Sequence, residues 1–309
     1  MTPLVAIVGP TASGKSGLAV AVAKAVGGEV INADSMQLYQ GMDVGTAKLS
    51  MDDREGIPHH LLDIWPVTTT ASLAEFQSLA RATIKRLHER DTIPVLVGGS
   101  GMYVHAVVDD WQIPGTNPSI RAELQRELDE VGPQTLHARL AKLDPVAAAG
   151  ILPTNGRRIV RALEVVQLQG SFEPHLPSPD NPADRVLFGL DIPRGVLDER
   201  ISQRVDRMWT EGLVDEVRQL VDVGIRSGET ARRALGYAQV LRYLDGACTE
   251  EDARTDTARG TKRLARRQGS WFRRDKRITW VREEERADTL ESILAKVKGI
   301  TGGSRTLQG

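Results

Sequence analysis

Residues 9–16 read GPTASGKS, a G-x-x-x-x-G-K-[ST] octet set between an apolar run, LVAIVG at 4–9, and a helix-forming stretch, GKSGLAVAVAKAV at 14–26. Strand, glycine loop and helix in that order make a cradle for phosphate. Gly9 and Gly14 let the backbone N–H groups of the loop, through Thr11, Ala12 and Ser13, curl round an anion, and the helix start adds partial positive charge. Lys15 reaches two adjacent phosphate groups, and the Ser16 hydroxyl is placed to ligate Mg²⁺. The octet points to a diphosphate or triphosphate. It does not specify ATP.

The rest of the chain supplies the fold around that loop. GEVINA at 28–33 and IPVLVGG at 93–99 read as further strands, and apolar spacing predicts a helix over 71–91. This alternation gives an α/β core of the P-loop NTPase or kinase type with a mainly parallel sheet. The pattern changes at IPGTNPSI, near 112, and again at QGSFEPHLPSPDNPADR, 169–185. Between these turn-rich joints lie helical stretches around 119–131, 134–142 and 156–168, so 113–184 reads as a helical insertion within a core of 1–112 and 185–290. RVLFGLDI, 185–192, returns to the sheet; 198–223 and 255–276 follow as helices, and 298–309 reads as a loose tail.

The 309 residues suffice for two such units. No apolar run exceeds strand length, the first residues lack a basic region followed by a cleavage site, and Cys248 is the single cysteine. From these features no membrane span, signal peptide or intrachain disulfide framework is expected. A cytoplasmic monomer is expected. The formal net charge of −1 conceals one concentration of charge: from Arg259 to Arg277 there are nine Lys or Arg residues against one acid, Asp275. A local basic segment of that kind binds a polyanion whatever the total.

Asp34 lies nineteen residues beyond Lys15, with one helix and one strand between them. In a parallel sheet both emerge at the carboxyl edge, where ligands bind. A carboxylate beside a diphosphate needs a reason. Three are open: holding Mg²⁺ through water, taking a proton from an incoming nucleophile, or capping the next turn. The strand ending LVGGSGMY, 96–103, carries no acid to serve as a second Mg²⁺ anchor, which disfavours an ordinary ATPase.

Taken together, GPTASGKS (9–16), INADSMQLYQGMDVGTAK (31–48), PHHLLD (58–63), VGGSGMY (97–103), RALEV (161–165), GYAQ (236–239) and LARRQGSWFRRD (264–275) resemble the bacterial tRNA dimethylallyltransferase family, in that family's order and over roughly residues 5–280. The resemblance implies transfer of a dimethylallyl group from dimethylallyl diphosphate to N6 of adenine 37, beside the tRNA anticodon. It implies that the phosphate loop binds the diphosphate leaving group with Mg²⁺, and that Asp34 is the general base. It also implies that Ser100, where relatives commonly have Thr, contacts the diphosphate or Asp34, and that Arg233 grips the diphosphate. From the residues alone, completing a glycine turn is the lesser alternative for Ser100, and Arg233 equally stands as a solvated surface arginine.

Ser35, Gln37, Tyr39 and Thr46 are expected on the substrate side, the first three touching tRNA, while Asp43 stabilises the loop. His59 and His60 lack the spacing of a zinc site and are expected in a loop near the channel. In the insertion, Asn155 caps the helix opening at Gly156. Thr154–Asn155 stands where relatives have Asn-Asp, removing an acid–arginine link. Arg158 and Arg161 share a helical face and either anchor the insertion or touch the anticodon stem-loop. Across 259–276, Arg263, Arg266, Arg267, Ser270 and Arg274 fall on one side, with Leu264, Ala265, Gln268, Trp271 and Phe272 on the other. A membrane surface or plain solvent are alternatives for that basic face, and tRNA phosphates are favoured. Two rival activities remain: prenylation of a free adenine nucleotide, and an ATP-dependent kinase.

Overall fold

In the computed structural model, which describes residues 2–109, 111–173, 184–282 and 286–303, Leu4–Val8 forms β1, the central strand of the sheet, buried at every position. Lys15–Val26 is α1, opened by Gly14 at φ 81° and closed by Gly27 at φ 64°. Both turns need a left-handed conformation, which glycine adopts without steric cost. Then come β2 (Glu29–Asn32), a two-residue β3 (His59–His60), α2 (Leu73–His88), β4 (Pro94–Gly98) and α3 (Gly101–Val108). Ser72 caps α2 by accepting from the Glu75 N–H.

The chain divides into two compact units, one formed by Met1–Asp110 with Asp180–Gly309, the other by Trp111–Pro179. The second unit holds α4 (Pro118–Leu143), α5 (Pro145–Ala149) and α6 (Gly156–Gln169). α4 breaks at Gly132, φ 78°, before Pro133, which is why the sequence read it as two helices. Its core is Leu124, Leu136, Leu140, Ile159 and Leu163. Glu164, fully buried there, accepts from the Asn117 N–H and from Arg121 and Arg161.

The first unit resumes with β5 (Arg185–Asp191), α7 (Arg194–Thr210), α8 (Leu213–Asp222), α9 (Tyr237–Leu244), α10 (Glu250–Phe272), β6 (Thr279–Arg282) and α11 (Arg286–Gly303). The helix expected over 198–223 is split by Gly212, φ 96°. α10 starts five residues earlier than expected because Thr249 and Asp252 form a capping box. α11 runs to Gly303, into the segment expected to be a loose tail; 304–309 lie outside the described residues.

The sheet order is β3-β2-β4-β1-β5-β6, and every pairing is parallel. Alternation along β1 sends Leu4, Ala6 and Val8 to one apolar layer and Val5 and Ile7 to the other, the latter shared with α1 and α11. Among the described residues no helix is long and apolar enough to cross a membrane.

Candidate active site

The carboxyl ends of β1, β2 and β4 open into a cavity of about 900 Å³. The phosphate loop, with Thr11, Ala12, Gly14, Lys15 and Ser16, forms one wall. Asp34 and Gln37, just past β2, form a second, and the 43–51 loop extends it. α7 closes the cavity with Arg200, Arg204 and Arg207. Sheet topology alone brings the first two walls together, as the position of Asp34 in the sequence implied.

Lys15 is buried and its ammonium donates to the Pro10 carbonyl at 3.3 Å. Burial pulls its pKa down to about 8; the Asp34 carboxylate opposes that fall and Arg204 adds to it. The loop is braced from outside the octet. Gln268 on α10 accepts the Thr11 N–H at 2.9 Å, and Arg204 donates to the Thr11 hydroxyl at 3.1 Å. Ser13 is buried beneath the loop, its hydroxyl without a hydrogen bond among the described residues.

Asp34 is held by its neighbour. Asn32 accepts from the Asp34 N–H at 2.9 Å and donates to the Asp34 carbonyl at 3.0 Å and the Leu61 carbonyl at 2.9 Å. One carboxylate oxygen of Asp34 accepts from the Met36 N–H at 3.0 Å. It therefore performs the capping role while still lining the cavity with Lys15 and Arg204. Ser100, the N-cap position of α3, stands 3.3 Å from both the Ser35 N–H and the Ser35 hydroxyl. The glycines around it are required by close approach. A Cβ at Gly98 would lie 2.4 Å from the Ala33 carbonyl, and one at Gly101 2.3 Å from the Trp271 ring.

Several expected residues sit elsewhere. Arg233 is exposed, pairs with Glu229 at 2.8 Å and does not line the cavity. Its short 3₁₀ turn, Ala231–Arg233, leaves the side chain in solvent. Arg204, which the sequence reading did not single out, lines the cavity instead. Burial lowers the Arg204 pKa, with Asp34 acting against that shift. The available signal was R-x-x-x-R-x-x-R at 200–207, one polar face of α7 opposite Leu197, Ile201, Val205 and Met208. Tyr39 is fully buried and donates to the Thr69 carbonyl at 3.0 Å, so core packing removes it from any tRNA surface. Gln37 does line the cavity, and Thr46 donates to the Met42 carbonyl at 2.6 Å. Lys48 joins Asp43 to Asp63, giving Asp43 its loop-stabilising place.

His59 and His60 form an edge strand rather than a loop; His60 pairs with Glu29 at 2.6 Å. Asn155 caps α6 by accepting from the Arg158 N–H at 3.2 Å. Arg161 donates to the Pro114 and Gly115 carbonyls and to Glu164, so it anchors its own unit, while Arg158 is exposed. On α10, Arg263, Arg266, Arg267 and Ser270 are exposed, and Ala265, Gln268 and Phe272 are buried; the helix ends at Phe272, so Arg274, also exposed, lies just beyond it.

Mg²⁺ prefers oxygen donors and keeps several waters, taking few ligands from protein. The cavity lining carries the Ser16 hydroxyl and the carboxylates of Asp34, Asp43, Asp53, Asp63 and Glu211, yet no group of three or more His, Cys, Asp or Glu able to hold a metal occurs among the described residues. That donor set fits an ion held mainly by phosphate oxygens and water.

Over residues 37–275 the chain matches the family described as IPP transferase. It is 59% identical to the tRNA dimethylallyltransferase of Thermobifida fusca (strain YX) over 287 residues, 91% of this chain and 90% of that protein. The Streptomyces coelicolor tRNA dimethylallyltransferase is 60% identical over 279 residues, 90% of this chain and 89% of that one. Among solved structures, the full-length tRNA isopentenylpyrophosphate transferase of Bacillus halodurans superposes with a TM-score of 0.73 at 41% identity, covering 99% of this chain and all of that one.

Proposed function

The chain belongs to the IPP transferase family, a tRNA dimethylallyltransferase of the bacterial kind, and from that membership we propose how its cavity performs the reaction. The enzyme transfers the dimethylallyl group of dimethylallyl diphosphate to N6 of adenine 37 in tRNA and releases diphosphate.

The phosphate-loop N–H groups, Lys15 and Arg204 hold the diphosphate, and Asp34 faces the acceptor amine. The N6–C1 bond forms as the C1–O bond breaks, and the bonding pair of C1–O leaves with the diphosphate. The amine proton passes to the Asp34 carboxylate. Lys15 and Arg204 meet the negative charge growing on the leaving group. Ser16 would hold Mg²⁺, which neutralises diphosphate charge when bound. The amine lone pair is delocalised into the purine, so the walls must bring amine, C1 and leaving oxygen into line and exclude water from the allylic carbon.

The exposed arginines of α10 and Arg158 of the helical unit serve as phosphate contacts for the anticodon stem-loop. They position the RNA without identifying adenine 37, a choice left to a flipped base entering the cavity. The observation that carries these roles is the convergence of Lys15, Asp34 and Arg204 on one cavity. The test is transfer of labelled dimethylallyl to unmodified tRNA by wild type and by Asp34→Ala. The variant should bind tRNA normally and lose transfer by about 10²-fold or more. Unchanged turnover would remove Asp34 as the base.

A further inference from the structure

Asp43, Val44 and Gly45 present three successive backbone N–H groups to one carboxylate. Glu216, in the first turn of α8, accepts from Asp43 and Val44 through Oε2 at 3.0 and 2.7 Å, and from Gly45 through Oε1 at 3.2 Å. The Tyr237 hydroxyl, at the start of α9, donates to the same Oε1 at 2.5 Å. The Tyr237 ring is fully buried and fills the space a side chain at 45 would need, since a Cβ there would lie 2.5 Å from it. Gly45 of GMDVGTAK, Tyr237 of GYAQ and Glu216 are far apart in sequence and form one clamp. Consecutive N–H groups make an anion-binding concavity. Here the protein's own carboxylate fills it.

The clamped segment continues into the cavity wall. Thr46, Ala47 and Lys48 follow directly and line the cavity. The Thr46 and Ala47 carbonyls accept from the Gln37 amide nitrogen at 3.2 and 3.4 Å, and Gln37 stands three residues past Asp34. The Gln37 amide hydrogens are thus committed to the loop that Glu216 fixes. We infer that Glu216 is a positioning residue for the transfer, acting through the 43–47 loop on Gln37 and so on the acceptor base beside Asp34. This rests on the transfer reading above. Four donors converge on Glu216, and a carboxylate accepts all four. An amide at 216 would offer one acceptor oxygen and set an NH₂ against backbone N–H groups.

The test compares Glu216→Gln with wild type in the labelled-transfer assay, alongside calorimetric binding of dimethylallyl diphosphate and thermal melting. The variant should lose about tenfold in kcat while binding the diphosphate within about twofold, because the phosphate loop is untouched. If Glu216 works through Gln37, the cost of Gln37→Ala should largely vanish in the Glu216→Gln background. Wild-type kcat and KM accompanied by a lower melting temperature, or additive costs in the double variant, would overturn the inference. Should Glu216→Gln fail to fold, Tyr237→Phe keeps the ring and removes one donor. A fall of roughly threefold in kcat is then expected, and none overturns the inference. Wild-type protein that transfers nothing would overturn the reaction and the inference together.

Discussion

Arg204 and Arg233 offer a direct contest between what the sequence suggested and what the fold presents. Arg204 lies in the cavity, bonded to the Thr11 hydroxyl, with Asp34 as its counter-charge. Arg204→Ala would remove charge-assisted bonds to the diphosphate worth roughly 1.5–3 kcal/mol and leave Asp34 with one fewer cation. Breaking a charge arrangement in a partly buried site costs more than losing the bonds alone, so about 3 kcal/mol is a reasonable sum. At about 1.4 kcal/mol per factor of ten, kcat/KM for dimethylallyl diphosphate should fall on the order of 10²-fold. Most of the loss belongs in kcat, because diphosphate charge grows as the C1–O bond breaks. Arg204→Lys keeps the charge without the planar fork and should recover part of that loss. The Arg233 side chain is 66% exposed and its Glu229 partner 54% exposed. A solvent-exposed pair of that kind contributes roughly 0–1 kcal/mol, so Arg233→Ala should change the donor constants by less than about fivefold at saturating tRNA. Initial rates with labelled donor decide the matter. A larger loss from Arg233→Ala than from Arg204→Ala under those conditions would refute the assignment.

Proton uptake offers a second check. Lys15 sits at about 8 in the free protein, and an arriving diphosphate raises that value, so binding draws in protons above pH 8. Calorimetry with dimethylallyl diphosphate at pH 8.5, in buffers of different ionisation enthalpy, should show net proton uptake that vanishes in Lys15→Met. Equal apparent enthalpies in all buffers would contradict the lowered value. On α10, replacing Arg263, Arg266 and Arg267 with Ala should weaken tRNA binding at low salt and flatten the plot of log affinity against log salt by about 2–3 units. A parallel plot would show that these arginines do not face phosphate.

What the sequence made readable was whatever local order decides. The octet at 9–16 joins β1 to α1 by its own glycine pattern, and the single helix and strand between Lys15 and Asp34 fix both at one sheet edge. The two faces of α10 follow from helical periodicity. Long-range packing decided the rest. Tyr39 shares its stretch with polar residues, yet its ring enters the core against Trp65 at 6.1 Å. The R-x-x-x-R-x-x-R spacing at 200–207 marks a polar face of α7, but that this face meets the cavity is decided by long-range packing and not by the local pattern. β3 is two residues long and gains its identity from pairing with Val30 and Ile31, so His59 and His60 looked like loop. The Glu216 clamp joins segments some 170 residues apart, and nothing near either end reveals it.

The two sides of α10 stand under different physical constraints. Its inner side touches the phosphate loop through Gln268 and packs Trp271 where Gly101 leaves room. Any change there is felt by the chemistry at once. Its outer side carries exposed arginines, Arg266 among them reaching Asp198 at 4.0 Å, and in the proposed role these meet RNA phosphates without touching a catalytic atom. In that proposed role, RNA affinity can be tuned through the outer side with salt and temperature, while the side that braces the phosphate loop leaves the turnover of bound substrate unchanged.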